Sequence, residues 1–111
     1  MTLEQYIYNL RSTLPSLPTH AEWATVEPML SYARAVAKGA EAVAEYRNKL
    51  IAKEINLVVT RDAQIAIMFN KETNPEEYQK YQEFRITCKT KVDDYLAGLQ
   101  AELNKQLEGV E

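Results

Sequence analysis

The stretch INLVVTRDAQIAIMFNKETNP, Ile55 to Pro75, supports two incompatible structures. Ile55, Leu57 and Val59 alternate with other residues, as do Ile65, Ile67 and Phe69, which is the period of a β-hairpin. Ile51, Ile55, Val58, Ile65 and Met68 or Phe69 also fall on one helical face, interrupted only near Asp62. A hairpin needs a tight turn, and Arg61-Asp62-Ala63-Gln64 has no Gly or Asn where φ must be positive. Two strands alone are marginal, so a third would have to come from RITCKTKV, where Ile86, Cys88, Thr90 and Val92 alternate with polar residues. The helical reading is preferred, and Thr60 is ready to act as an N-cap should the helix break there. The competitor is an α+β fold with a small sheet from residues 55–60, 64–70 and 85–92.

Downstream, Asn74-Pro75-Glu76-Glu77 marks the clearest boundary in the chain. It supplies a capping amide, a proline at the first helical position and two carboxylates at the positive end of the helix dipole. The helix it opens should reach about Leu107, with the stripe Tyr81, Phe84, Cys88, Val92, Tyr95, Leu99 and Leu103. Tyr81, Val92 and Leu103 are eleven residues apart, a period that packs nearly straight rather than as a left-handed coiled coil.

Upstream, a heptad-like seam runs through Met29, Ala33, Val36, Ala40, Val43, Arg47, Leu50, Glu54 and Leu57. Gly39 keeps the phase of this seam and reads as an interior helical glycine rather than a stop. Six alanines between Ala33 and Ala44 imply close helix–helix approach. Pro28 is tolerated only if a new helix begins near Thr25 or Glu27. Closer to the start, Thr2 with Gln5 forms a capping box, and its helix carries Leu3, Tyr6, Ile7, Leu10 and Leu14 on one face. PSLP then reads as a stiff linker, and Thr19 with Glu22 repeats the capping signature ahead of Trp23.

These elements predict an all-α fold in a single helical domain over residues 1–111. Its centre is a long antiparallel helical hairpin, about 27–70 and 75–107, folded back at Lys71–Asn74, with short N-terminal helices on its open end. A helix of that first length would be about 65 Å long and have little interior, so self-association is expected.

Hydrophobic residues at 46% and charged residues at 26% fit a folded chain and exclude a disordered one. No apolar run approaches the roughly 20 residues that span a bilayer, and the first residues lack the pattern of a signal peptide. With one cysteine and no leader, a cytoplasmic protein is expected. The net charge of −3 is unevenly spread: residues 47–91 hold nine Lys/Arg against six Asp/Glu, while residues 92–111 hold one against five. A pI near 5.3 argues against a dedicated nucleic-acid binder.

Convergent chemistry is absent from the sequence. His20 is the only histidine and sits at a helix start, where a structural or solvated role is the ordinary one. Cys88 falls on the apolar stripe and reads as a buried thiol. Magnesium chemistry in helical folds uses paired E-x-x-E and E-x-x-D motifs, and here the one E-x-x-E joins Glu108 to Glu111 at the chain end. Glu41 with Glu45, and Glu72 with Glu76, read as solvated helix surface. No phosphate loop, nucleophile elbow or zinc spacing occurs. No catalytic, cofactor-binding or metal-ligating set is therefore expected, and no small-molecule substrate.

The most specific surface feature is EEYQKYQEFRITCKTK, which interleaves rings with cations: Tyr78, Lys80, Tyr81, Phe84, Arg85, Lys89 and Lys91. Such residues anchor protein interfaces, and can also stack on bases and hold phosphates. The expectation is a non-enzymatic interaction or assembly module, partnering itself and another protein through an extended helical surface. The competing expectations are a small accessory or inhibitor protein, such as mobile elements encode, or a nucleic-acid accessory protein using residues 78–91. A carboxylate–metal enzyme assembled across an oligomer is the remaining reading.

Overall fold

Every helix whose entry carries a polar cap begins where that cap predicts. In the computed structural model, which describes residues 1–17 and 19–108, five helices follow one another. They are α1 (Leu3–Thr13), α2 (His20–Lys38), α3 (Ala40–Val58), α4 (Arg61–Phe69) and α5 (Pro75–Leu107), with a 3-10 turn at Leu14–Ser16. Thr2 and Gln5 complete their capping box, each accepting the other's backbone N–H at 3.2 and 2.9 Å. The Thr19, Thr60 and Asn74 side chains accept from Glu22, Ala63 and Glu77 N–H groups at 3.2, 3.1 and 3.3 Å. Of the PSLP linker, Pro15 and Ser16 lie in the 3-10 turn, while Pro18 falls outside the described residues.

The fold is all-helical, and the small sheet of the competing expectation does not form among the described residues: 55–58, 64–69 and 85–92 are helical. No described residue other than Gly39 has positive φ, so the turn a hairpin would need is not made. The expected helix over 27–70, with or without a break at Thr60, is also corrected: it does break at Thr60, and it breaks again at Gly39. It is three helices, and the first of them starts at His20, well before Pro28. The chain does not restart at Thr25 or Glu27: α2 passes through Pro28, which cannot donate to the carbonyl of exposed Ala24.

Gly39 is the second correction. Its φ of +124° and ψ of −178° belong to a region that a Cβ closes, so only glycine occupies it at little cost. Tyr46 and Pro28, 18 residues apart, would be about 27 Å apart along one straight helix. Instead the Tyr46 hydroxyl donates to the Pro28 carbonyl at 3.4 Å, and the Tyr32 and Tyr46 rings lie 6.2 Å apart. The chain therefore reverses at Gly39. The heptad-like phase across it is a coincidence of spacing.

The described chain gathers into two compact units. One comprises Met1–Tyr46 and the chain from Leu96 on; the other is Arg47–Tyr95. In the first, α1 packs on α2, and Tyr6, Leu14, Met29, Leu30, Tyr32, Ala33 and Ala35 are buried with Leu96 and Leu103. Ala33 and Leu103 are completely inaccessible. Of the six alanines between Ala33 and Ala44 only Ala33 and Ala35 are buried, so close approach is confined to that turn. The Tyr32 hydroxyl donates to the Gln100 side-chain carbonyl, tying α2 to α5. Burial raises the phenol pKa of both Tyr6 and Tyr32, and the Glu102 carboxylate raises that of Tyr6 further.

In Arg47–Tyr95 the core is Ile51, Ile55, Tyr81, Cys88 and Val92. Arg47 pairs with Asp93, Lys91 with Glu54, and Tyr81 with Gln64, so this part of α5 runs antiparallel to α3 and α4. Burial pushes the Cys88 thiol pKa up, and nearby Glu54 adds to this. Among the described residues of α5, Leu96 is buried and Tyr95 is exposed, reversing their expected roles. The eleven-residue period survives in Tyr81, Val92 and Leu103, all of them buried.

Candidate interaction groove

Gln64 organises the surface of Arg47–Tyr95. Placed one turn inside α4 by the Thr60 cap, it donates to Asn56 Oδ1 at 2.6 Å and to the Val59 carbonyl at 2.9 Å. Its own Oε1 accepts from the Tyr81 hydroxyl at 2.9 Å. One amide thus fastens the end of α3, the start of α4 and the face of α5. The Arg85 guanidinium lies 5.8 Å from the centroid of the Tyr81 ring, within cation–π range.

Two grooves, of about 580 and 590 Å³, open around this fastening and share Arg61, Gln64, Tyr81 and Arg85. Toward α3 the lining continues with Ile51, Ala52 and Ile55, together with Arg47, Asn48, Asn56 and Lys89. Toward the end of α4 it continues with Ile65, Met68 and Phe69. Residues 61, 64, 65, 68 and 69 recur at helical spacing, so the second groove is one face of α4 set beside α5. That face is unburied: Ile65 is 58% exposed, Met68 45% and Phe69 89%, and α4 contributes no buried residue.

No carboxylate lines either groove, although the whole chain is net negative. Arg47 is neutralised by Asp93, at 2.6 and 3.1 Å, which raises the arginine pKa and lowers that of the acid. Arg61, Arg85 and Lys89 have no ion pair among the described residues. An exposed apolar α4 face beside a largely polar α3 groove, with three cations lacking an ion pair, is the chemical character of the site.

The seven residues expected to form a partner surface are divided by this geometry. Tyr81, Arg85 and Lys89 line the grooves. Phe84 is half-buried, and the others are engaged elsewhere: Lys71 lies over the Tyr78 ring at 5.7 Å, Lys80 reaches Glu76 at 3.8 Å and Lys91 bonds Glu54 at 2.9 Å. The groove residues that sequence reasoning missed are the α3 lining from Arg47 to Asn56 and, on α4, Arg61, Gln64, Ile65, Met68 and Phe69. For the α4 residues the signal was the Thr60 cap, which fixes the register of that face.

Among the described residues no group of three His, Cys, Asp or Glu side chains converges to hold a metal, and no helix is long and apolar enough to cross a membrane. His20 is exposed at the start of α2, and Glu111 of the terminal E-x-x-E lies outside the described residues. No family model matches the chain, and neither a curated protein nor a solved structure matches it.

Proposed function

We propose that the chain is a non-enzymatic protein–protein interaction module that works by presenting a helical surface, centred on the grooves of Arg47–Tyr95, and that it also associates with itself. The observation that carries this reading is the apolar surface left uncovered there. Leu57 and Val58 are each 71% exposed and Ile86 62%, in addition to the α4 face. Patches of this kind on a small chain mark contact surfaces. A role as an accessory or inhibitor protein is compatible with such a surface.

Light scattering across a micromolar concentration series tests the self-association. A mass that rises above the 12.7 kDa of one chain supports it, and a constant monomer defeats it. The reading as a nucleic-acid accessory protein draws on Arg61, Arg85 and Lys89. It requires affinity for an oligonucleotide that falls steeply as salt rises.

A further inference from the structure

We infer that the paired grooves of α3, α4 and α5 receive an acidic amphipathic helix from a different protein, its apolar side chains seated on Ile65, Met68 and Phe69 and its carboxylates meeting Arg61, Arg85 and Lys89. The inference rests on the interaction reading and specifies the partner of that same site.

Charge selects the occupant. The lining supplies three cations without counter-charges and no carboxylate. An apolar ligand would leave those cations facing one another, whereas carboxylates flanking an apolar stripe compensate them at the rim, where solvent still reaches. The α4 face, nine residues long, extends about 13 Å, enough for two to three turns of a partner helix and anchors at i, i+3 or i+4, and i+7.

The same observations disfavour the other occupants. A two-fold contact between copies of this chain is isologous, so groove against groove would place six uncompensated cations face to face. Single-stranded nucleic acid needs ring faces on which successive bases stack. Tyr81 does not offer one: it is 7% exposed, its hydroxyl is held by Gln64, and Arg85 lies over the ring. Phe69 is the single exposed ring of the lining.

The test uses two short synthetic helices with the same leucine stripe, one flanked by glutamates and its twin by lysines, titrated by fluorescence anisotropy into the full chain. The acidic helix should bind at least about tenfold more tightly than the basic one, with a preference that shrinks as salt screens it. The double variant Arg61→Glu, Arg85→Glu should invert the preference, which a merely unfolded variant cannot do. Ile65→Ser with Met68→Ser should weaken both helices alike.

Equal affinity for the twins, no binding of either, or a preference that survives the charge reversal overturns the inference. So does displacement of the acidic helix by a thymidine oligonucleotide at lower concentration than by unlabelled acidic helix, or its loss whenever light scattering shows the chain dimerised. Failure here with concentration-dependent association in the same samples would sink this partner and leave the interaction reading standing. Failure of both would remove both.

Discussion

Ile55 and Leu57, two residues apart on α3, meet opposite surroundings, one in the core and one in solvent. The alternation that made Ile55–Phe69 resemble a hairpin is resolved by the helix itself, because residues two apart lie on opposite sides of it. Ile55 is buried and Leu57 is 71% exposed; Ile67 is half-buried and Ile65 is 58% exposed. The pattern read as strand is one inside and one outside residue per pair. Gly39 could not be read this way, since a glycine in phase with a seam has no sequence mark that distinguishes φ of +124° from helical φ. The two glycines of the described helical region should therefore respond oppositely to alanine. Neither has any atom within 4 Å of an added Cβ, so only backbone conformation decides. Gly39→Ala should lower unfolding free energy by about 1–3 kcal/mol, and Gly98→Ala should raise it by up to about 1 kcal/mol, in urea titrations. Asp93 provides a test of charge. Its hydrogen bond from Arg47 lowers its pKa below the ordinary value of 3.8, so its stabilising contribution is present above that value and is lost as pH falls through the folded value. Asp93→Asn should accordingly flatten the acid limb of a stability-versus-pH curve below about pH 4 and leave its neutral slope unchanged.

At the scale of elements, the caps were legible and the burial was not. Thr2, Thr19, Thr60 and Asn74 cap helices because a short polar side chain satisfies an N–H that the first turn leaves open, which is local chemistry that sequence records directly. Whether Tyr95 or Leu96 faces inward depends on the neighbour that α5 meets, which no residue of α5 specifies. α4 shows the consequence most clearly. It has a sequence stripe, a cap and no buried residue, so its stability rests on Thr60 and on the Gln64 bonds rather than on a core. Amide hydrogen exchange should therefore release α4 first within Arg47–Tyr95, ahead of the α5 turns carrying Tyr81, Cys88 and Val92. Thr60→Ala, which costs a helix N-terminus about 1 kcal/mol, should speed α4 exchange further without changing that of Val92. Equal protection of α4 and α5 would show that something other than the cap and Gln64 holds it.

For the molecule as a whole, the uneven charge that composition revealed acquires a place. The excess of cations in residues 47–91 is not a diffuse basic stripe: Arg47, Lys80 and Lys91 are paired, while Arg61, Arg85 and Lys89 converge on grooves without carboxylates. The proposed contacts thereby separate into two chemical kinds. Leu57, Val58 and Ile86 are exposed, apolar and outside both grooves, which suits contact between identical chains because like charge is not brought together. The grooves suit a partner of opposite charge. Leu57→Ser with Ile86→Ser should therefore return the light-scattering mass toward a monomer while leaving the affinity for an acidic helix within about twofold, since surface changes away from a contact add independently. Arg61→Glu with Arg85→Glu should do the reverse, abolishing acidic-helix binding while the mass at a given concentration stays the same. If the charge reversal instead alters the mass, the two surfaces are one, and copies of the chain meet through the grooves after all.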